Sequence, residues 1–308
     1  INQNEYLMNT SLKYNKKYSN MGNASEFEFK VSIILPVHNP TKFLLKRSIK
    51  SLMDQTLGFD SIEVIIIDNC STESSSIDLI NSLTKKYGNI RSITLNEKKG
   101  FEEIYNIGKK ESSAEHIMFL NYKNYIISNA CEILYNQILN EDIDIVFGDN
   151  VNLVKNKKIK NFSSIIPNKE FIETKPIKLN SICDEIQLLN NDILMGSKMF
   201  KKSFLLKNNF KLNSTVLNQI HYLNSKLLFN AEGICLVGMP MIVYEDYHEN
   251  SNIPDLSYDL IVKNLETSLE FLREYYYLFY EFSPENIDIP LNLISQWINN
   301  DLISEKLK

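Results

Sequence analysis

The residues with chemical potential in this chain sit where apolar runs stop. "IEVIIID" ends on Asp68. A carboxylate at the end of a buried strand can accept from an imide N–H or a ribose hydroxyl in a cleft that holds little water. The local use of the same carboxylate is to cap the helix that follows, through Ser71 and Thr72. "EHIMFL" runs into Asn121, Tyr122, Lys123 and Asn124. An amide oxygen is a weak, neutral metal ligand and a neighbouring lysine repels a cation, so no divalent ion is expected at this strand end. A lysine ammonium can instead meet a phosphate as a point charge. "IDIVFG" is followed by Asp149, at an expected strand end, where it can contact a sugar or cap its turn. "YEDYHENSN" gathers Glu245, Asp246 and His248, and a solvated turn is the plainer reading of the two carboxylates. His38 stands in the loop after the first apolar run, while His116 and His221 read as structural.

Alternating elements must position these residues. "VSIILPV" (31–37) is a continuous apolar run, as expected of a strand buried on both faces. Thr41 can cap a helix over 42–56, with Leu44, Ile49, Leu52 and Met53 near helical spacing. Strands are expected at 62–68, 90–95, 115–120 and 143–148, with helices from Ser71 or Thr72 to Tyr87, over 101–111 and over 128–139. This alternation predicts a mostly parallel sheet with helices on both faces, binding its ligand at the carboxyl ends of the strands. The second half is less regular. A hairpin is expected over 151–166, amphipathic helices over 196–210 and 216–231, and one or two strands over 233–247. A long helix follows Pro254, in which Leu265, Leu269, Leu272, Tyr276 and Phe279 share a face. The aromatic group from Tyr275 to Phe282 is expected to pack against the preceding domain rather than stack on sugars.

Composition bounds the possibilities. A length of 308 residues at 44% hydrophobic content can bury a sizeable core. The net charge of −5 argues against a sequence-independent nucleic-acid binder, which needs a basic face. Cys70, Cys131, Cys183 and Cys235 show no short paired spacing, so zinc and a disulfide framework are not expected and a reducing cytosol is the natural compartment. The longest apolar run, 234–244, is about half the length a transmembrane helix needs. The chain opens on Ile1 with no basic-then-apolar leader, and a piece of a longer polypeptide is one expectation.

Several stretches together resemble the family 2 glycosyltransferases, which have the GT-A fold. "VSIILPVHNP" is similar to that family's opening strand and loop, "LKRSIKSLMDQTLGFDSIEVIIIDNCSTESS" to its first helix and second strand, and "LNEKKGFEEIYNIGKKESSAEHIMFL" to the approach to its metal strand. The resemblance implies a GT-A domain over 27–250; before it, residues 1–26 are polar with little periodicity and read as an extension, and after it the stripe from Leu265 to Phe279 reads as a helical appendage over 251–308. The resemblance also implies sugar transfer from a nucleotide-activated donor, commonly with Mg or Mn, in building bacterial surface polysaccharides. Carried over by position, Pro36, Val37, Asn39 and Asp68 would cradle the nucleoside and His248 would reach a phosphate; Asn121 and Lys123, at the metal strand, are the residues left to face the diphosphate, and Asp149, by its place alone, is a candidate acceptor contact.

The chain departs from the family where chemistry is done. Asn121 to Asn124 replace the Asp-x-Asp metal motif, Asn69 replaces an aspartate, Tyr105 replaces the arginine that precedes Asn106, and Leu217 and Asn218 replace the acidic base. Neither Leu217 nor Asn218 can take a proton from an acceptor hydroxyl. Three readings follow: a pseudo-glycosyltransferase serving as a binding or scaffolding module, a metal-independent transferase in which Lys123 neutralises the diphosphate, or a conventional enzyme whose metal is held by Asp144, Asp149 or Asp246. No cofactor is expected under the first two, and Mg or Mn enters only under the third. The expected partners are a nucleotide or nucleotide-sugar, an active partner transferase or a larger parent polypeptide, but neither nucleic acid nor a transmembrane segment. The expected location is the cytoplasm, up to the inner face of the membrane.

Overall fold

A computed structural model describes residues 29–154, 157–159, 195–208, 223, 227 and 230–245. The expected extension over 1–26, the appendage over 251–308 with its aromatic helix, and Cys183, Leu217, Asn218, His221, Asp246 and His248 lie outside the described residues.

The apolar runs become strands because every residue in them finds a covered face. β1 (Val31–Val37) pairs in parallel with β2 (Ile62–Asp68), residue by residue from Val31 against Ile62 to Val37 against Asp68. The further elements in chain order are β3 (Ile90–Thr94), β4 (His116–Phe119), β5 (Tyr125–Ile126), β6 (Ile145–Val154), β7 (Lys157–Ile159), β8 (Lys198–Lys201) and β9 (Ile234–Glu245). They form a nine-stranded sheet in the order β3-β2-β1-β4-β8-β6-β9-β5, with β7 paired to β6. The pairings set β1, β2, β3, β4, β6 and β9 in one direction and β5, β7 and β8 in the other, so the sheet is mostly parallel.

Alternation along the strands loads both faces. Ile33 and Leu35 of β1 and Val64 and Ile66 of β2 pack with Leu45, Ile49 and Leu52 of α1 (Lys42–Met53), Leu79, Ile80 and Leu83 of α2 (Ser74–Lys86), and Leu134 of α4 (Ala130–Ile138). Ile34, Ile65 and Ile67 point the other way, to Ile104 and Ile107 of α3 (Phe101–Glu111), Phe204 and Leu205 of α5 (Lys202–Lys207), and the helical residues Leu223 and Leu227. α3 lies so close to β1 that a Cβ on Gly108 would stand 2.6 Å from the Ile34 Cγ2. At the amino ends of the strands, Glu63 accepts from Arg91 Nε at 2.8 Å and from the Ser113 N–H at 2.8 Å, and Ser32 also donates to it. That buried ion pair closes the end of the sheet opposite the ligand side.

Local differences from the sequence reading have physical causes. The helix expected from Ser71 or Thr72 begins at Ser74, with Glu73 at its N-cap position, because the Thr72 and Glu73 N–H groups donate to Asn39 Oδ1 and belong to the loop before it. Residues 196–210 are not one amphipathic helix: Met195–Ser197 form a 3-10 turn, β8 follows, and only Lys202–Lys207 are α-helical. β6 does not stop at Gly148 but runs to Val154, with a register irregularity on either side of Asp149, so Asp149 lies inside a strand and not at its end. It then turns into the expected hairpin, pairing Asn152 with Ile159 and Val154 with Lys157. Residues 234–245 make a single strand. Cys131 and Cys235 are buried and Cys70 is half-buried, all as free thiols. Burial pushes the Cys131 thiol up to about 12, leaving it inert. His116 sits edge-on to Tyr135 at 5.3 Å, and burial lowers its pKa.

Candidate nucleotide cleft

β1 has β2 on one side and β4 on the other, so the direction of winding reverses between β1 and β4. Such a reversal leaves a crevice at the carboxyl ends of the two strands, because the following loops part there. A cleft of about 230 Å³ occupies this position. Pro36 of β1, Phe119 at the end of β4 and the adjoining Leu120 and Asn121 form its floor and one edge, and Asn124 adds to that edge. The first turns of α3 contribute Phe101, Ile104 and Tyr105, and Met195 and Gly196 close the far side.

The wall is aromatic. Tyr105 stacks on Phe119 with ring centroids 5.0 Å apart and on Phe101 at 6.2 Å. Phe101 and Tyr105 are four residues apart on one helix face, so they present side by side. Burial raises the Tyr105 pKa and keeps the phenol neutral. Its hydroxyl and the Asn106 Oδ1 are buried and find no hydrogen-bond partner among the described residues.

Asn121 to Asn124 form a closed turn. Asn121 O accepts from the Asn124 N–H at 2.9 Å, and Asn121 Oδ1 accepts from the Lys123 N–H at 3.0 Å. That is the Asx turn for which asparagine is suited. Arg47 donates from Nη2 to Lys123 O at 2.7 Å and stands over the Tyr125 ring at 4.7 Å, tying the turn to α1. Asn124 is buried, Lys123 half-buried and Asn121 exposed. A divalent ion of the kind the resemblance implies needs several hard, anionic oxygens. This turn offers amides, one of them engaged with Lys123, and a cation. These residues do not fit Mg or Mn.

The other expected nucleoside residues lie in the neighbouring loops and are not among the residues lining this cleft. Val37 is buried and faces Asp68 across the β1–β2 ladder. Asp68 is 3% exposed and its Oδ1 accepts from the Ser71 N–H at 3.0 Å, which closes a turn in the loop and does not cap the helix that starts at Ser74. Asn39, at φ 43°, spends its carboxamide on the loop before α2: Oδ1 accepts from the Thr72 N–H at 2.9 Å and the Glu73 N–H at 3.1 Å. Asparagine tolerates that left-handed backbone better than most residues. His38 Nδ1 donates to Asn69 O at 2.9 Å. Pro36 and Asn121 are thus the two expected contacts that line the cleft.

Asp144 cannot serve as a metal ligand for this site. It directly precedes β6, which runs parallel to β1 and β4, so it lies at the end of the sheet away from the cleft. There its Oδ2 accepts from the Glu232 N–H at 2.7 Å. Glu245 is the last residue of β9, opposite Leu153. Sequence reasoning missed Phe101, Phe119 and Met195 as cleft walls. The spacing of Phe101 and Tyr105 was the available signal, and it was read only as a helix.

Residues 32–198, more than half of the chain, match the family model described as glycosyl transferase family 2. A poly(ribitol-phosphate) beta-glucosyltransferase of Bacillus spizizenii is 30% identical over 184 residues, covering 58% of this chain and 26% of that protein. Glycosyltransferase GlyG of Streptococcus pneumoniae is 23% identical over 198 residues, covering 64% of this chain and 60% of it. Poly(ribitol-phosphate) beta-N-acetylglucosaminyltransferase TarP of Staphylococcus aureus is 30% identical over 186 residues, covering 60% of this chain and 53% of it. The chain therefore spans between 26% and 60% of the length of these relatives. The crystal structure of S. aureus TarS 1-349 in complex with UDP superposes with a TM-score of 0.58 at 18% identity, over 88% of this chain and 78% of that one. At that identity the likeness speaks to the fold, which is the GT-A fold.

Proposed function

This chain belongs to glycosyl transferase family 2, and from that premise we propose that it is a degenerate member, a binding or scaffolding module in the assembly of a bacterial surface glycopolymer. The observation that carries the reading is the turn at Asn121 to Asn124, where Asn121 Oδ1 accepts from the Lys123 N–H at the strand end to which the family resemblance assigns the metal-binding carboxylates. Metal and catalytic base are separate requirements of one reaction, and a module lacking both has lost more than a single compensating substitution restores. The glycopolymer context is supported by relatives named for poly(ribitol-phosphate) glycosylation and for minor teichoic acid biosynthesis.

In this reading Pro36, Val37, Asn39, Asp68 and Asn121 hold a nucleotide weakly, since Asn39 and Asp68 already spend side-chain oxygens on the loop that opens α2, and the Lys123 side chain turns to solvent or to a protein partner. Asp149 and His248 remain proposed contacts for a phosphate or an acceptor. An active partner transferase, or further domains of a longer polypeptide, would supply the chemistry, at the cytoplasmic face of the membrane. Among the described residues no helix is long and apolar enough to cross a membrane.

Restoring the carboxylates tests this. Asn121→Asp with Lys123→Asp should create manganese binding, read by water-proton relaxation, that the native chain lacks. Manganese binding by the native chain at the same strength would overturn the reading. A second reading, metal-independent transfer with Lys123 neutralising the diphosphate, is favoured by the anchoring of the turn through Arg47, which holds Lys123 beside the cleft.

A further inference from the structure

α1 carries its charges in an order that the fold alone does not favour. Lys42, Lys46, Arg47 and Lys50 are basic and no residue of the helix is acidic, in a chain whose net charge is −5. Lys42, Lys46 and Lys50 follow one another at four-residue spacing and are all exposed, so like charges stand side by side along one row. Lys42 also opens the helix, where the macrodipole favours an acid, and the first turn holds none. α3 has the ordinary arrangement, with Glu102 and Glu103 in its first turn and Lys109 and Lys110 in its last. Beside the lysine row stands Phe43, at 68% the most exposed large hydrophobic among the described residues.

Little within the protein compensates the row. Lys50 pairs with Asp54, the residue that ends the helix. Among the described residues Lys42 and Lys46 have no ion-pair partner. Arg47 is engaged locally, donating to Lys123 O, with its guanidinium 5.6 Å from the Phe43 ring centroid and 4.7 Å from that of Tyr125. The first turn of α2 adjoins the start of α1, with Ser76 Oγ donating to Pro40 O at 3.2 Å, and it brings the exposed Glu73 and Asp78, so the basic surface ends there.

We propose that the outer face of α1 docks on an anionic phospholipid bilayer, with Phe43 entering the headgroup layer and Lys42, Lys46 and Lys50 meeting lipid phosphates. The proposal deepens the membrane location proposed above and does not depend on whether the chain transfers sugar. Charge complementarity sets the class of occupant, because the cytoplasmic leaflet is negative and each basic residue held near it adds to binding. Phe43 selects a bilayer over a soluble polyanion. A chain of phosphates gives a phenyl ring nothing apolar to meet, whereas the boundary between headgroups and acyl chains buries it. The shape agrees: the inner side of α1 packs on the sheet through Leu45, Ile49 and Leu52, so the opposite side is a convex outer surface that suits a broad, flat partner. α1 follows the carboxyl end of β1, so docking by this face sets the cleft beside the membrane.

The test is flotation of the full chain with vesicles of pure phosphatidylcholine and of phosphatidylcholine with about 30% phosphatidylglycerol. The native protein should float only with the anionic vesicles, and should largely leave them at about 1 M salt, where the screening length falls to about 3 Å. Lys42→Ala with Lys46→Ala should weaken binding about thirtyfold, as expected for two basic residues at a negative surface, with the melting temperature equal or higher. Phe43→Ser should weaken it about tenfold and leave any affinity for inorganic polyphosphate unchanged. No flotation of the native chain with anionic vesicles, or equal flotation with neutral ones, would overturn the proposal. Vesicle binding at native strength after loss of both lysines would also overturn it, while leaving the membrane location standing. Polyphosphate bound more tightly than vesicles, and equally by the Phe43→Ser chain, would overturn it in favour of a soluble anionic polymer. The manganese titration that tests the degenerate reading is a separate readout from all of these.

Discussion

The carboxamide of Asn69 pairs with both backbone groups of Lys99, Nδ2 donating to Lys99 O at 3.0 Å and Oδ1 accepting from the Lys99 N–H at 2.7 Å. The Asn69 N–H also donates to Val37 O at 2.8 Å, so one residue ties together the loops that follow β1, β2 and β3. An aspartate has no N–H to give and would set a negative charge against the Lys99 carbonyl. The amide at this place has a structural use that the family's aspartate could not serve. Asn69→Asp should lower stability by about 1–3 kcal/mol, the cost of unmaking a buried hydrogen bond. Urea unfolding at pH 7 checks this, and an unchanged midpoint would refute it.

Gly108 sets how closely α3 approaches β1. A methyl there would meet the Ile34 side chain at 2.6 Å, so Gly108→Ala should destabilise by about 1–3 kcal/mol through overpacking. Ile34→Ala in the same chain should recover part of that loss, giving a non-additive double-mutant cycle. Strict additivity would mean that the helix simply shifts.

What could be read in advance was what depends on neighbours in sequence. β1 and β2 fall on the residues expected because "VSIILPV" and "IEVIIID" are unbroken apolar runs, a pattern that only burial on both faces explains. α2 starts later than its local sequence suggests because the Thr72 and Glu73 N–H groups are taken by Asn39, more than thirty residues upstream, beyond the reach of any local rule. β8 was taken for helix because Met199, Phe200, Phe204 and Leu205 mimic helical spacing. Only its pairing with β4 and β6, distant in sequence, makes it a strand. Lys198 shows the same limit: a lysine reads as surface, yet it is fully buried with its ammonium 5.4 Å from the Phe147 ring centroid. At the site, the absent carboxylates were plain in the sequence. The aromatic wall was not, because it joins α3 to β4 and to Met195 from far along the chain.

Burial lowers the Lys109 pKa from 10.5 to about 8, with Glu102 opposing the shift. The unfolded chain then holds more protons on this group between about pH 8 and 10.5, so its penalty is full below pH 8 and fades as pH rises. Tyr105 acts in the opposite sense above pH 10, where its raised pKa makes stability fall with rising pH. The native protein should therefore gain stability from Lys109 mainly between about pH 8 and 10. Lys109→Met should lack that rise in urea midpoints measured across the window. Parallel curves for the two proteins would contradict the assignment.

Lys123 separates the two readings of the site. If its ammonium replaces the metal, Lys123→Ala should weaken UDP binding by about 1–3 kcal/mol and leave uridine binding unchanged. The degenerate reading expects no difference between native and variant for either ligand. Titrations in chelator decide between them, with a loss confined to UDP favouring metal-independent transfer.

The most direct measurement is a calorimetric titration of the native chain with UDP and with UDP-N-acetylglucosamine, once in saturating manganese and once in chelator. A turn built from Asn121, Lys123 and Asn124 gives the metal nothing to hold, so the account predicts the same weak binding, or the same absence of binding, in both buffers. Binding tightened about tenfold or more by manganese, a difference of about 1.4 kcal/mol, would contradict it and return this chain to the metal-dependent enzymes of its family.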